Sequence, residues 1–439
     1  MKNLLRIGAA CMAAALTVAL PHASAAESTS TIQQVGLKPL SADRIAPLAK
    51  PAPGQSVIDP AYGTRIHRAT NISDGEGGRM RHEYSRRQAF NADNSRYLVQ
   101  DGRGAWYLYN AATFTKIEKL EGFAGDCEAI WHPSDPNKIY LTERDGGTTW
   151  WSYDIATHRK DVLFDFKGKT PWPKATSFWT KSEGTTSADG RYLGLMATNY
   201  DETTQKNTIY GLVTVDLKEK KIVGTLDAKN FPMPNAFPDH ISTSPSGKYV
   251  VPSWLDEQQG GTRAYSRDFS TSVELAPRSE HSDLAFGPNK EDYYVYADYL
   301  NGQLAAVNLD TKQRINLDTL YPAPGEAYSL HVSGQAFAKP GWAVISTYGD
   351  NANYNTTWPA PELRPQYRKV WLVELKPGGR KLNVAHVRSD ESKVSGDDAY
   401  FLEPHASASR DLSCIIYASN FGGRDVESYV VEVPANFAN

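Results

Sequence analysis

The chain has 439 residues, with 47 Lys+Arg against 50 Asp+Glu and a net charge of −3, which excludes the basic surface that a nucleic-acid partner requires. With 40% hydrophobic and 22% charged residues it is a globular chain rather than a disordered one, long enough for a buried core without disulfide staples. Its 24 Tyr, 10 Trp, 33 Gly and 26 Pro favour short strands and many turns over long helices.

Lys2 and Arg6 precede an apolar stretch from Ile7 to Leu20, followed by Pro21 and the small residues Ala23-Ser24-Ala25. This order predicts a secretory signal peptide over residues 1–25, and hence a periplasmic or secreted protein. The apolar run is too short to span ~30 Å of hydrocarbon, and no later segment qualifies, so no membrane span is expected. Residues 26–55 carry Pro and Ser without periodicity and read as an extended lead-in. Cys127 and Cys414 fall in separate repeat units and are expected to be free, buried thiols.

From residue 56 to 439 one pattern recurs. A strand with small or His residues meets an Asp/Asn/Ser/Gly turn, then an apolar strand of period two. The best copies are Ala89 to Leu98, Thr186 to Leu193 and Thr243 to Val251. The turn residues supply side-chain caps and a positive-φ position. A further strand follows each copy, as in Trp106 to Asn110, Trp150 to Asp154, Leu212 to Asp216, Leu304 to Asp310 and Val370 to Glu374. Units of about four strands every ~40–70 residues predict an all-β, seven-bladed β-propeller with four-stranded antiparallel blades. Its inner strands are expected near Gln88, Ala129, Gly184, Ile241, Asp283, Gly334 and Ala406. Arg65–Arg68 is expected to pair with Tyr429–Val433 and close the ring. A β-sandwich explains the strand count but not the recurrence of a whole unit. The insertion from Asn351 to Arg364 reads as a loop over one face.

In a propeller the starts of the inner strands meet at one mouth. Chemistry-bearing residues recur there: Arg81 to Arg87, Asp126-Cys127-Glu128, Ser182-Glu183, Asp239-His240, Glu280-His281-Ser282-Asp283, His331 and Glu403-Pro404-His405. Imidazoles converging with a carboxylate suit a divalent metal, so His240, His281, Asp283, His331 and His405 are the candidate ligands for zinc, manganese or calcium. Glu280 and Glu403 are further oxygen donors. The competing account is a structural plug of hydrogen-bonded histidines. His82, Tyr84, Arg86 and Arg87 form the candidate catalytic set. Alternation along a regular strand would put the first three on one face and Arg87 on the other. An Arg that neutralises a carboxylate and a His or Tyr that moves protons suit abstraction of a proton α to that carboxylate. Alternatively, the arginines pair with Glu128 and Glu183 as a structural network. Trp179, Trp254 and Trp358 are of a kind that stacks on sugars, although core packing accounts for any one of them.

The stretch from Arg81 to Leu98 resembles the first blade of propeller polysaccharide lyases, the ulvan lyases and their oligogalacturonate lyase relatives. Glu183 to Tyr192, Glu280 to Asp283, His331-Val332-Ser333 with Lys339 to Trp342, and Glu403 to Ser407 resemble later blades. The resemblance implies β-elimination at a uronic acid, a catalytic role for His82, and a metal on His281, Asp283, His331 and His405. The chain departs from the ulvan lyase pattern at Gln100 to Trp106, where a further His is missing. The expected function is that of a secreted, monomeric lyase acting on a uronic-acid-containing polysaccharide, sulfated or not. A non-catalytic glycan-binding or scaffold propeller and a glycoside hydrolase using Glu128 or Glu183 are the alternatives.

Overall fold

The computed structural model describes residues 36–254, 261–277, 281–350, 362–396 and 398–437. The signal-peptide region, residues 26–35 of the lead-in, Glu280, Trp358 and most of the insertion from Asn351 lie outside these. The fold is all-β, with one single-turn α-helix at Asp398–Leu402 and a few 3₁₀ turns. Among the described residues no helix is long and apolar enough to cross a membrane.

Five antiparallel sheets of four strands follow one another along the chain. They run through 130–165, 177–227, 240–276, 282–319 and 329–386. A nine-stranded sheet joins the two ends of the chain. One part holds Arg79–Arg81, Arg96–Asp101, Trp106–Asn110 and Thr115–Lys119. The other holds Ser407–Ala408, Cys414–Ser419, Val426–Glu432, Arg65–Arg68 and Ser56–Ile58. Only the short parallel pairing of Val426 with Arg79 and Glu427 with Met80 links the parts. Arg65–Arg68 pairs with the last strand, as expected, through Ile66 with Val431, His67 with Val430 and Arg68 with Tyr429. Separate sheets of this kind fit a propeller-like fold and leave no room for a two-sheet sandwich.

Strand periodicity builds the packing. Val250 packs toward the sheet before its own and Val251 toward the sheet after it, because neighbouring side chains leave opposite faces. Leu284 and Ala285 divide in the same way, as do Ile345 and Val344. These core clusters therefore join consecutive sheets, and the one holding Tyr97, Tyr109, Ile416 and Val430 joins the first strands to the last.

The recurring turn is built as its residues imply. Ser187 Oγ accepts from Tyr192 N–H (3.0 Å), Ser244 Oγ from Tyr249 N–H (3.1 Å), Asn91 Oδ1 from Arg96 N–H (3.0 Å) and Ser409 Oγ from Cys414 N–H (3.2 Å). Three residues after each cap the backbone is left-handed, at Gly190, Gly247, Asn94 and Leu412. Two inner strands lie earlier than expected, at Arg79–Arg81 and Ser177–Trp179 rather than near Gln88 and Gly184. There the caps Asn91 and Ser187 sit in extended segments that lack full ladder pairing, so turn and strand do not coincide.

The lead-in is not loose where it is described. Asn383 N–H donates to Lys38 C=O (2.8 Å) and Leu40 N–H to Lys381 C=O (2.8 Å), so residues 38–40 extend the edge of a sheet. A buried ionic cluster pins it. His386, fully buried, lies 3.1 Å from Asp43 Oδ1 and 3.6 Å from Asp59 Oδ2, with Lys369 3.1 Å from Asp43 and Arg388 3.4 Å from Asp59. Cys127 and Cys414 are free; Cys127 is buried and Cys414 half-buried.

Candidate active site

Strand Arg79–Arg81 ends just before the candidate catalytic set, so His82, Tyr84 and Arg86 do not alternate along a strand as anticipated. Arg87 N–H instead closes a turn on Tyr84 C=O (3.2 Å), and all four side chains are buried. His82 is 1% exposed and both ring nitrogens are engaged. Nε2–H donates to His405 C=O (2.7 Å). Ser428 Oγ accepts the His82 backbone N–H (2.9 Å) and so donates its own proton to His82 Nδ1 (3.0 Å). Burial, then Arg81, lowers the His82 pKa to about 3. A proton acceptor needs a free lone pair, and this ring has none to offer.

The two arginines divide. Arg87 bonds Glu83 Oε2 (3.0 Å) and Gly184 C=O and ties the turn to the next sheets. Glu128, expected as its partner, instead accepts the backbone N–H of Thr180 and Ser182 (each 2.8 Å) with its side chain fully buried. Arg86 bonds Ser282 C=O and Glu183, and its Nη1 lies 3.2 Å from His240 Nδ1. The same nitrogen lies 3.4 Å from Asp239 and 3.6 Å from Glu183. Burial first, then Arg86, holds the His240 pKa below its usual value.

The five proposed ligands split into two groups. His331 and His405 meet with ring centroids 4.1 Å apart, and His281 stacks on His331 at 4.6 Å. Glu403 Oε2 lies 3.4 Å from His331 Nε2 and 3.5 Å from His405 Nε2. Tyr84, Tyr348 and Tyr400 surround these rings at 4.7–5.1 Å. His240 belongs instead with Glu183 and Asp239. Asp283 does not join either group. Its carboxylate accepts from Gly334 N–H (2.7 Å), Gln335 (3.1 Å) and Leu284 N–H (2.8 Å), which holds it on the backbone.

Beside the His331 group, across Tyr84 and Tyr400, opens a cleft of about 380 Å³, lined by the cations Arg79, Arg81, Arg103, Arg144 and Lys181 and by the acids Glu83, Asp101, Asp126 and Glu183. Arg79 and Arg81 come from a strand, Arg103 and Arg144 from the connections between strands, and Lys181 from the segment after Ser177–Trp179.

The chain is similar in fold to oligogalacturonate lyases. One solved structure, an oligogalacturonate lyase in complex with manganese, aligns with 92% of this chain and 100% of its own at a TM-score of 0.59 and 16% identity. The oligogalacturonate lyase of Vibrio parahaemolyticus aligns over the same shares at a TM-score of 0.58 and 14% identity. No protein-family model matches the sequence, and no curated protein matches it. At such identities the likeness to oligogalacturonate lyase is one of scaffold.

On this lyase-like scaffold the residues present fit a divalent cation. Both nitrogens of His331 and Nε2 of His405 are buried without a hydrogen-bond partner among the described residues. Burial first, then the neighbouring imidazoles, keeps both rings far below the usual histidine pKa, so they are neutral, the ligand form. His405 sits at φ 40, a backbone strain of the kind that functional sites retain. His281 donates Nδ1–H to Leu330 C=O (2.6 Å), which leaves its Nε2 lone pair free. Arg144, Tyr348 and Tyr400 are not singled out as site residues by sequence, whereas Glu403 is an expected oxygen donor and Arg81 and Asp239 stand among the chemistry-bearing positions. Glu403 and Asp239 adjoin predicted histidines and Arg81 adjoins His82, which is their signal; Arg144 in a turn, Tyr348 at a strand end and Tyr400 in the short helix carry none.

Proposed function

We propose that the protein is an exported lyase that cleaves a uronic-acid-containing acidic polysaccharide, sulfated or not, by β-elimination. The observation that carries this reading is the cationic cleft beside a group of neutral, unpartnered imidazoles. Five four-stranded sheets and the two parts of the nine-stranded sheet are then seven blades, with residues 1–25 removed on export and the mature chain acting as a monomer.

Cations of the cleft neutralise the uronate carboxylate and so lower the cost of the enolate-like charge that forms when the α-proton leaves. His240 is the acceptor: it is neutral, Arg86 Nη1 is taken up by Glu183, and Asp239 accepts the Nδ1–H, so that the Nε2 lone pair takes the proton. Tyr84 donates to the leaving oxygen. Burial and Glu183 keep its phenol protonated well above the usual range, which suits an acid rather than a base. His331, His405 and Glu403, with His281 alongside, would hold zinc, manganese or calcium, which supplies further positive charge where the enolate develops. His82, read from the sequence as catalytic, becomes a support for His405.

The test is ultraviolet absorbance during incubation with a panel of uronic-acid polysaccharides, since elimination leaves a conjugated unsaturated uronate. Absorbance should rise with at least one glycan. Reducing ends without absorbance would support a hydrolase, although Glu128 is spent on backbone amides and leaves only Glu183. Binding with no cleavage by any divalent-loaded sample would support a glycan-binding propeller, a reading that the saturated His82 favours.

A further inference from the structure

The far side of His405 carries an unexpected partner. Arg81 Nη2 lies 2.6 Å from His405 Nδ1. A guanidinium only donates, so Nδ1 is the acceptor. The single proton of the neutral ring therefore sits on Nε2, the nitrogen 3.5 Å from Glu403 Oε2. Metal-bound histidines have the opposite arrangement: the ligating nitrogen offers its lone pair and the other N–H donates to an acceptor. His331 meets no such obstacle, because neither of its nitrogens is bonded. The cation group is thus complete in composition, with one ring held in the wrong tautomer by a residue of the first sheet.

Arg81 is only partly anchored in this position. Its Nε is buried without a partner among the described residues. Its side chain also lines the cationic cleft, with Phe401 5.8 Å away. A carboxylate in that cleft accepts two guanidinium N–H groups at once and carries the opposite charge, whereas His405 offers one neutral acceptor.

We infer that Arg81 couples the cleft to the cation group. A uronate carboxylate draws Arg81 off His405, the ring proton moves from Nε2 to Nδ1 by exchange with solvent, and the Nε2 lone pair becomes available to a divalent cation. The ring keeps one proton throughout. By reciprocity the cation tightens uronate binding by the same factor. Arg81 acts through His405 and is a positioning residue. The inference rests on the reading that the cleft takes uronates and the imidazoles take a cation.

The test is isothermal titration of Mn²⁺ into the full chain with and without saturating sodium galacturonate, a uronate with no glycosidic bond to break, after subtracting the sugar–Mn²⁺ association in buffer. The sugar should lower the Mn²⁺ Kd by about fivefold or more. Arg81→Met keeps the stem but removes the donors, and should bind Mn²⁺ more tightly than the wild type without sugar, with no response to it. Nitrogen-15 spectra of the imidazoles supply a second readout: Nε2–H on His405 in the free chain, Nδ1–H with sugar and ion bound. Equal Kd values with and without galacturonate, or an unchanged tautomer, overturn the coupling and leave the cation site standing. No stoichiometric Mn²⁺ under either condition overturns the cation reading as well. Should Arg81→Met fail to fold, the wild-type titrations and spectra decide the matter.

Discussion

His82→Ala separates a structural role from a catalytic one. Alanine removes the donor to His405 C=O and the acceptor of the Ser428 hydroxyl. A buried carbonyl left without its donor costs about 1–3 kcal/mol. The void left by a ring that is 1% exposed adds to this, for about 3–4 kcal/mol in all. That is a large part of a typical domain's stability of about 5–15 kcal/mol. It also frees His405, whose left-handed backbone persists only while its surroundings impose it. Urea unfolding should therefore show a clearly lower midpoint, and Mn²⁺ binding should weaken in the same variant. His82→Gln, whose amide can reach the position of Nε2–H, should recover most of both. A His82→Ala variant with wild-type stability, wild-type Mn²⁺ binding and no turnover would refute this account and restore the histidine to catalysis.

Glu427, fully buried, accepts from Arg68 (2.8 and 3.1 Å) and Ile72 N–H (3.0 Å) and pairs with Lys50 (2.6 Å). Glu427→Ala should cost about 3–5 kcal/mol in chemical denaturation, because it strands buried charge where the chain ends meet; a loss under about 1 kcal/mol would contradict this. Burial alone would raise Asp43 and Asp59, but His386, with Lys369 on the first and Arg388 on the second, brings both from 3.8 to about 2. Lowered carboxyl values mean that the stabilisation is present above 3.8 and is lost as the pH falls toward about 2. Hydrogen exchange at residues 38–45 should accelerate across that window; exchange indifferent to pH there would sink the ionic-pin reading. Gly247 has φ 72, and a Cβ there would meet Tyr192 Cδ2 at 2.5 Å. Gly247→Ala should lower the thermal midpoint more than Gly122→Ala, which is left-handed but open; equal losses would show that the Tyr192 contact is harmless.

The sequence alone determined what rests on short spacings. A Ser or Asn cap, a left-handed residue three positions on and an amide five positions on all lie within one turn, so their bonds form wherever the chain carries them. Period two along Tyr249 to Val251 or Leu284-Ala285 likewise dictated which side chains enter which inter-sheet core. Repetition of that unit was enough to gather His281, His331 and His405 near one another.

Only the tertiary structure decided what each gathered group does, because hydrogen-bond capacity is taken up by neighbours far away in sequence. Asp283 stands two residues from His281 and yet is spent on Gly334 and Gln335. Glu403, beside a proline, turns to the imidazoles instead. His82 and His405 are 323 residues apart; their bond takes up the His82 Nε2–H, while Ser428, 346 residues away, occupies the Nδ1 lone pair that the chemistry would have used. His386 holds the lead-in because Asp43 and Asp59 reach it from the other end of the chain. A spacing rule sees donors and acceptors; which of them remain free depends on partners that only the closed ring brings within 3 Å.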